Sequence, residues 1–422
     1  MKNAVPRLLS LNSYNYRRGG SDAVFIDHDK LFSDAGWNTC VFTMHHPENR
    51  PSSYSKYFTN ELEFGEAYSI WQKLHMAGKV IYSLEARNKL AKLIDQFPPE
   101  IAHAHCIYHH LSPSVLSLLR SKGIPTVLTA HDLKLACPAY KMLNNNGICE
   151  KCKNGNLLHL VKNRCIHGSL ATSTLVAIES SLHKTFKLYK NNLNKVVTPS
   201  IFFHDKLVEW GWDSNQLAYI PNFINCDNYS PQYEPGNYFL YFGRLAPEKG
   251  TDTLIKAALK AGVKLRIAGT GPYESELRAL VPENNDNIEF LGFCSGDKLW
   301  TLIREARAIV LPSQWYENAP ISILEAYASG KPVIGADIGG IPEMLKEGET
   351  GFLFESGNTQ DLTEKLKLIS NIPTKEIINM GKLARDYVSS TFTSERYYSD
   401  MTALYKSLGA DISITKTDNI KK

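Results

Sequence analysis

Long apolar runs and blocks of like charge are both missing from this chain of 422 residues. No apolar run reaches the roughly 18 residues that a membrane-spanning helix requires. The net charge is only +4 and no long block of lysine and arginine occurs, so we expect no nucleic-acid partner. Residues 1–7 lack the apolar region and cleavage site of a signal peptide, which predicts a cytoplasmic location.

Cysteine is also scarce, with 8 residues in 422, which argues against a disulfide-built scaffold. Half of these cysteines nevertheless fall close together, at Cys137, Cys149, Cys152 and Cys165. A pair two positions apart, flanked by two single cysteines, fits the spacing of a structural four-thiolate zinc or iron–sulfur site. Four reduced and unconnected cysteines are the alternative. We expect the metal, because the segment 133–168 shows no strong periodicity and needs another source of stability.

The remaining composition is that of an ordinary globular protein, with 43% hydrophobic and 21% charged residues. A chain of this length is too long for one core, so two or three domains are expected. Strand and helix patterns alternate on both sides of a polar stretch, 222–236, which is the predicted linker. We therefore predict two doubly wound α/β domains, 1–221 and 237–385, the first of which carries the insert 133–168.

The most informative stretch is 308–330, where two glutamates bracket seven residues. Residues 308–312 are typical of a buried parallel strand, and the segment after Pro320 is typical of a helix that ends at Gly330. Glu317 is then expected on the loop at the carboxyl end of the strand, and Glu325 inside the helix. Ligands bind at that edge of open α/β sheets, and the start of the helix favours a phosphate. On spacing alone, two ordinary helix and surface acids are about as plausible as a polyol-phosphate site.

Two further glycine-containing loops are predicted at the carboxyl ends of strands. Gly19 and Gly20 follow the first strand, where glycine permits a positive φ and a close approach of the backbone to a ligand; Ser21 or Asp22 is expected to cap the next helix. Residues 243–250 follow a strand at 238–242 and carry Arg244 and Lys249, side chains that suit a diphosphate. A flexible turn and two solvated charges are the alternatives.

Histidines mark the carboxyl end of another strand, at 126–130. His131 follows it directly and precedes Asp132, so its ring can exchange a hydrogen bond with a substrate hydroxyl. On the residues alone, a structural histidine with its hydrogen bonds satisfied is the favoured alternative. His103 and His105 alternate along a preceding strand, 101–106, and no partner for them is evident, so we interpret them as structural.

Residues 175–193 have the pattern of an amphipathic helix. Such a helix most often packs its apolar face on the core, whereas lysines beside an exposed apolar face favour a membrane surface. We expect the first arrangement and keep the second open. The predicted apolar side comprises Leu175, Ile178, Leu182, Phe186 and Tyr189, and the lysines are Lys184, Lys187, Lys190 and Lys195.

Taken together, these motifs resemble glycosyltransferase family 4, whose members are retaining enzymes with the GT-B fold. The Glu-x7-Glu pattern at 317–325 carries the resemblance, and the glycine pair, His131 and the Gly-Arg-x-x-x-x-Lys-Gly loop fall at family-like places. The resemblance covers about residues 8–408. It implies two Rossmann-like domains facing a central cleft, with a C-terminal helical segment, 386–410, that crosses back to the first domain. Residues 411–422 are predicted to be a disordered tail.

The resemblance also implies roles for individual residues. Glu317, His131, Lys249 and Arg244 would act at the reacting centre, and the cations would stabilise the departing diphosphate without a catalytic metal. Residues with a role in binding the donor would be Gly19, Gly20, Arg244, Lys249, Gly269, Phe293, Asn318, Ala319, Pro320, Ile321 and Glu325. The sequence departs from the family pattern at Asp22, where a glutamate is usual, and at 318–321, where many relatives have Gly-Phe-Gly.

The implied function is transfer of a sugar from a nucleotide-diphosphate sugar to an acceptor hydroxyl. A glycan or lipid-linked acceptor, such as one of bacterial surface polysaccharide assembly, is expected, with peripheral contact at the inner face of the membrane. The loop 45–64 and the cysteine-rich insert would flank the acceptor. A nucleotide-sugar 2-epimerase or hydrolase on the same fold, and a non-catalytic partner subunit, are the alternatives.

Overall fold

The computed structural model describes residues 5–61, 70–144 and 147–412. The chain forms two compact units. The first ends at Ile220 and resumes at Tyr397, and the second comprises Pro221–Arg396, with which residues 147–149 are grouped. The predicted linker, 222–236, thus starts at the second residue of the second unit.

The first unit is built on a sheet of six parallel strands in the spatial order β2-β1-β3-β4-β7-β8. A separate two-stranded sheet, β5–β6, lies in the cysteine-rich insert. The elements before Ile220, in chain order, are β1 (Arg7–Leu11), α1 (Gly20–Asp34), β2 (Asn38–Phe42), α2 (Ile70–Ile81), α3 (Leu84–Gln96), β3 (Ile101–Ala104), α4 (Ser114–Ser121), β4 (Thr126–Thr129), β5 (Leu143–Asn144), β6 (Gly147–Ile148), α5 (Leu158–Lys162), α6 (Leu170–Thr185), β7 (Lys195–Thr198), α7 (Ile201–Glu209) and β8 (Leu217–Tyr219). Of these, β6 is grouped with the second unit.

The second unit is built on another six-stranded parallel sheet, in the order β11-β10-β9-β12-β13-β14. Its elements are β9 (Tyr238–Phe242), α8 (Thr251–Ala261), β10 (Lys264–Ala268), α9 (Glu274–Arg278), β11 (Ile288–Gly292), α10 (Gly296–Arg304), β12 (Ala308–Leu311), α11 (Ile321–Ala328), β13 (Val333–Asp337), α12 (Ile341–Met344), β14 (Gly351–Glu355), α13 (Thr359–Asn371) and α14 (Thr374–Thr391). The last helix, α15 (Ser394–Ser407), lies in the first unit from Tyr397 onwards.

Both faces of the second sheet are covered, which explains its sequence pattern. Side chains of β9 and β12 divide between two hydrophobic clusters: Leu240 and Ile309 point into one, and Phe239 and Val310 into the other. A strand that is buried on both faces reads as a continuous apolar run rather than an alternating one. The predicted doubly wound α/β architecture is therefore confirmed.

Most differences from the predicted elements concern their ends. The strand predicted at 101–106 ends two residues early, at Ala104. Helix α3 begins directly after Ser83, whose side chain caps it by accepting a hydrogen bond from the backbone N–H of Ala86. Residues 62–69, 145–146 and 413–422 lie outside the described residues, and with them parts of the loop 45–64, of the insert 133–168 and of the predicted disordered tail.

The helix predicted at 175–193 is the main error. It forms at 170–185, and Ser169 caps its start by accepting from the backbone N–H of Thr172. The side chains that it buries are Ser173, Val176, Glu179, Ser180 and His183. Three members of the predicted core face are instead solvent-exposed: Ile178 (49%), Leu182 (36%) and Phe186 (64%).

None of the helices in the described ranges combines the length and the apolar character that crossing a membrane would require.

Candidate active site

The strand order of the second sheet places its candidate site. The chain moves outward from β9 to β11 and then returns to the other side of β9 as β12. A reversal of this kind opens a crevice between the loops that follow the two strands, and ligands of doubly wound folds bind there. These loops are 243–250, with Arg244 and Lys249, and 312–320, with Glu317.

Glycines let these loops pack directly on one another. Gly250 has φ +65°, and a Cβ atom there would lie 1.9 Å from the carbonyl oxygen of Pro312. A Cβ on Gly269, after β10, would lie 1.9 Å from the carbonyl oxygen of Gly243. No larger residue fits either position without moving backbone, so the glycines are required by loop packing.

Glu317 has a buried and fixed carboxylate. The residue is 8% exposed, and its Oε1 accepts hydrogen bonds from Lys249 Nζ and Ser313 Oγ, each at 2.7 Å. Burial by itself raises the pKa of Glu317, but the Lys249 ammonium and the Ser313 hydroxyl outweigh it and lower the pKa below its ordinary value. Glu317 is therefore an ionised, oriented hydrogen-bond acceptor at the crevice.

The two predicted phosphate-binding cations differ in exposure. Lys249 is bound to Glu317, and its ammonium lies 4.9 Å from the ring centroid of Trp315. The Arg244 side chain is 56% exposed and donates to Glu248 four residues on. Glu248 is buried, with a side chain only 3% exposed. A guanidinium has five N–H donors, so the exposed side of Arg244 can contact an anion while the arginine keeps Glu248.

The second glutamate lies where the sequence predicts it, inside α11. The helix starts at Ile321, one residue after the predicted start at Pro320, and ends at Ala328, two residues before Gly330, whose φ is +73°. The carbonyl oxygen of Ala319 accepts a buried hydrogen bond of 2.9 Å from Asn222 Nδ2. Glu325 itself accepts a long hydrogen bond, 3.5 Å, from the hydroxyl of Tyr229.

Gly339, in the loop between β13 and α12, packs against the backbone of Glu317. Its φ is +62°, and a Cβ atom there would meet the backbone oxygen and nitrogen of Glu317 at 2.4 and 2.6 Å. The N–H of Gly340 donates to the same backbone oxygen at 2.8 Å. Nothing in the sequence reveals that Gly339 and Gly340 contact this peptide.

Ser313 and Asn222 are site residues that the sequence does not reveal, since a lone serine or asparagine carries no distinctive signal. The other predicted positions border the same sheet edge. Gly269 has φ +156°, and Phe293, just after β11, is 73% exposed. Asn318 lies on the loop between Glu317 and α11.

In the first unit, the glycine pair differs in detail from the prediction. Gly19 precedes α1 with an extended backbone (φ −168°), and neither glycine has a positive φ, so the predicted φ is wrong. Gly19 is the N-cap without a side-chain hydrogen bond, so neither Ser21 nor Asp22 caps the helix. Cβ atoms at 19 and 20 would meet nothing within 4 Å. Packing within the described residues therefore does not require glycine there.

Asp22 is buried and held in place within the first unit. Asn12 Nδ2 donates to its Oδ1 at 2.9 Å, and Arg18 Nε donates to its Oδ2 at 3.1 Å. The same helix contains the Asp-x-Asp sequence of the chain, Asp27 and Asp29. Asp29 is 8% exposed and accepts from Ser10, whereas the Asp27 side chain is 39% exposed and pairs with Arg17.

His131 has a histidine partner. Its Nε2 lies 2.8 Å from Nδ1 of His105, and the two rings are stacked with an interplanar angle of 18°. The loss of hydration around the ring lowers the pKa of His131 to about 4. Burial raises the pKa of Asp132 to about 6, although its carboxylate accepts from the backbone N–H of Lys134. The sequence reveals no partner for His105, and the structure supplies one in His131.

In the part of the chain that the structure describes, no three of the four clustered cysteines place their sulfur atoms within 4.8 Å of one another. Among the described residues, His28, His103 and His105 form the group of potential metal ligands whose atoms lie within 4.8 Å of one another. Cys137 and Cys152 are each 7% exposed. Burial lowers the pKa of Lys184, and nearby Cys152 and Cys137 oppose this shift. The four-cysteine metal site stays a prediction.

Family models match the two halves of the chain. The model described as "Glycosyltransferase Family 4" matches residues 18–228, which is half of the chain, and "Glycosyl transferases group 1" matches residues 227–387.

Individual proteins are similar over different shares of their length. An uncharacterized glycosyltransferase of Methanocaldococcus jannaschii is 29% identical over 58% of this chain and 67% of its own. The N-acetyl-alpha-D-glucosaminyl L-malate synthase of Bacillus anthracis is 25% identical over 92% of this chain and 93% of its own. Among solved structures, HepE of Anabaena in complex with UDP and glucose superimposes with a TM-score of 0.66, at 17% identity, over 95% of this chain and all of that one.

Proposed function

We propose that this chain, which belongs to glycosyltransferase family 4 and has the GT-B fold, transfers a sugar from a nucleotide-diphosphate sugar to an acceptor hydroxyl with retention of configuration. The proposal rests mainly on the buried carboxylate of Glu317, which accepts a 2.7 Å hydrogen bond from Lys249 Nζ. This carboxylate lies where the second sheet reverses its strand order. A fixed acceptor, two cations and a helix start at one sheet edge suit a polyol joined to a diphosphate.

Each charged group has a distinct proposed task. Glu317 accepts hydrogen bonds from hydroxyls of the donor sugar, and Glu325 accepts them from the ribose. Arg244 and Lys249 hold the diphosphate and stabilise its negative charge as the bond to the sugar breaks. We expect this charge stabilisation to make a divalent cation unnecessary, so that transfer persists in excess EDTA. Gly19, Gly20 and His131 have a proposed role towards the donor sugar that rests on the family resemblance.

Nucleotide binding is the first property to test. A thermal-shift panel of UDP-, GDP-, ADP- and TDP-sugars is applied to wild type, to Glu325→Ala and to Glu364→Gln, an exposed acid of α13 that serves as control. UDP-sugars come first, because the HepE structure contains UDP. One nucleotide should raise the melting temperature of wild type and of the control but not of Glu325→Ala. No shift with any nucleotide would contradict the proposal.

The chemical step is tested by substituting Glu317. Glu317→Gln keeps the size of the side chain and removes its charge, so we expect a loss of transfer of about a hundredfold or more with the donor still bound. Product analysis with and without acceptor separates transfer from hydrolysis or epimerisation. A glycan product that forms equally well with the variant would contradict the role of Glu317.

We further propose that α6 contacts the surface of an anionic membrane, where a lipid-linked acceptor would be presented. Ile178, Leu182 and Phe186 are exposed at four-residue spacing, and Lys184 and Lys187 lie between and beside them. Apolar side chains bordered by lysines bind anionic lipid through both burial and charge. This supports the arrangement that the sequence pattern leaves open as its alternative.

Vesicle sedimentation tests this contact. Wild type should sediment with vesicles that contain anionic phospholipid and much less with neutral ones. Replacing Ile178, Leu182 and Phe186 by serine should abolish sedimentation, whereas Leu368→Ser, at a 44% exposed leucine of α13, should leave it unchanged. Equal sedimentation of both variants would refute a contact through α6.

We also retain the proposal of a structural metal at Cys137, Cys149, Cys152 and Cys165. Binding would have to draw the four sulfur atoms together, since no three of them lie within 4.8 Å of one another in the described structure. Elemental analysis of protein purified without chelators should find about one zinc, or an iron–sulfur cluster, per chain, and less in Cys149→Ser. Metal-free wild type that is folded and active would exclude the site.

A further inference from the structure

Two stacked histidines share one hydrogen bond in the first unit. His105 follows β3, is fully buried, and places its Nδ1 2.8 Å from Nε2 of His131. Both rings are neutral near pH 7, because burial lowers the pKa of each below its ordinary value. A single proton therefore lies between the two nitrogens, and either ring can be the donor.

The remaining nitrogen of His105 has no such contact. Its Nε2 is buried and has no hydrogen-bond partner among the described residues. The ring nitrogens of the neighbouring His28 and His103 all have hydrogen-bond partners. Those of His103 contact the Tyr405 hydroxyl and, at 2.7 Å, Thr129 Oγ1. His28 contacts the hydroxyls of Tyr397 and Tyr405.

These contacts also argue against a metal among the three histidines. The Tyr405 hydroxyl lies against nitrogens of both His28 and His103, and so takes up coordination positions that an ion would need. The cluster is better described as a hydrogen-bonded stack of neutral rings. Of the six ring nitrogens of His28, His103 and His105, Nε2 of His105 is the one that lacks a partner within the described part of the chain.

The unsatisfied nitrogen decides which tautomer is favoured. If His131 donated, His105 would carry its proton on Nε2, and a buried N–H would be left without an acceptor. If His105 donates from Nδ1, its Nε2 is a bare lone pair. Buried orphan N–H groups are rarer in proteins than under-used acceptors, so the second arrangement is favoured.

We propose that His105 is a positioning residue that donates from Nδ1 to His131 and thereby holds His131 as the Nδ1–H tautomer. Nδ1 of His131 has no hydrogen-bond partner within 5–61, 70–144 and 147–412. His131 thus offers a hydrogen-bond donor, rather than an acceptor, to an oxygen of the substrate. That the substrate reaches His131 rests on the proposed function; the tautomer does not.

Nuclear magnetic resonance tests the tautomer directly on the resting protein. Long-range ¹H–¹⁵N spectra of ¹⁵N-histidine-labelled protein distinguish protonated from bare ring nitrogens, and His131→Gln identifies the His131 signals by their loss. We expect His131 to be protonated on Nδ1 in wild type and to lose this preference in His105→Leu. A wild-type His131 that is protonated on Nε2 would overturn the proposal.

Kinetics test whether the tautomer matters. His105→Leu should lower kcat/KM for the donor about tenfold, the effect of one well-placed hydrogen bond. His105→Asn, which retains an N–H near the Nδ1 position, should restore both the tautomer and most of the activity. His103→Leu is the matched control, since it removes a ring of the same stack that does not contact His131.

The control separates positioning from packing. His103→Leu should lower the melting temperature as His105→Leu does, yet leave the tautomer of His131 unchanged. Equal losses of kcat/KM in the two leucine variants at a temperature where both are folded would overturn the positioning role. If wild type bound and transferred no nucleotide-sugar, the proposed function would fail, while the resonance experiment would still decide the hydrogen bond.

Discussion

At Gly339, the absence of a side chain allows the backbone to pack directly against that of Glu317, a candidate catalytic residue. We predict that Gly339→Ala destabilises the protein by about 3 kcal/mol, because its positive φ and two backbone contacts under 3 Å both oppose a Cβ atom. Gly348→Ala is the matched control, since Gly348 has φ +76° and open space around the added atom. It should cost only about 1 kcal/mol. Urea unfolding measures both, and equal costs would show that the contacts yield.

Asp132 offers a second test at the scale of one residue, through pH. Its pKa is raised to about 6, so between about pH 4 and 6 the folded protein holds a proton that the unfolded chain releases. Its contribution to stability therefore falls as the pH rises through this window and is unfavourable at pH 7. Asp132→Asn keeps an acceptor for the N–H of Lys134 and should be more stable than wild type at pH 7 by about 2 kcal/mol.

The measurement is the difference in unfolding free energy between Asp132→Asn and wild type from pH 4 to pH 7. This difference should grow as the pH rises. A difference that is constant over the range would mean that Asp132 is not protonated in the folded protein below pH 6.

At the scale of elements, the parallel strands were predictable because burial on both faces leaves a continuous apolar run, as in β9 and β12. The position of Glu317 followed from the strand before it and the helix after it. Its partner Ser313 did not, because a hydrogen bond between side chains leaves no periodic trace. The prediction of the buried face of α6 was wrong for the opposite reason, because here a periodic pattern is present but misleading. Its apolar residues have helical spacing, but the helix buries Glu179 and His183 instead.

The polar face of α6 is buried because Glu179 pairs with Lys134, a residue far away in the sequence. Lys134, in the loop after β4, contacts Glu179 Oε2 at 3.1 Å, and the two side chains are 4% and 0% exposed. Lys134 also donates to the carbonyl oxygen of Pro138. No local pattern predicts a pairing across 45 residues.

This buried pair makes a prediction for α6. Lys134→Met should destabilise the protein by about 3–5 kcal/mol, because it leaves the Glu179 carboxylate buried and uncompensated. The double variant Lys134→Met/Glu179→Leu should recover most of this loss. A double-mutant cycle in urea gives both values, and strictly additive losses would show that the two side chains do not interact.

For the whole molecule, histidine is distributed unevenly. All 13 histidines lie between His28 and His204, and none lies within Pro221–Arg396. Burial lowers the pKa of His28 to about 3 and of His131 to about 4, and lowers those of His103 and His105 well below the ordinary value. The first unit therefore keeps several neutral rings that the unfolded chain would protonate.

We predict that acid unfolds the first unit before the second. As the pH falls below about 6.5, these histidines bind protons in the unfolded chain but stay neutral in the folded protein. The free energy of unfolding therefore decreases by up to about 1.4 kcal/mol per pH unit for each ring. Calorimetry should show two unfolding transitions. The midpoint temperature of one should decrease as the pH is lowered from 6.5 to 5, and that of the other should stay nearly constant. Gly348→Ala, in the second unit, should lower the midpoint temperature of the pH-independent transition only. His28→Gln, in the first unit, should weaken the pH dependence of the other transition. Parallel shifts of both transitions would contradict this.

Trp315 gives the candidate site an optical reporter of its own. Its indole lies beside the Lys249 ammonium, which must turn from Glu317 towards a diphosphate if it is to hold one. A cation that moves near an indole changes the emission of that indole. Titration with a bound nucleotide should therefore change the intrinsic fluorescence of wild type, and the change should disappear in Trp315→Phe, so that affinity can be followed without label or acceptor.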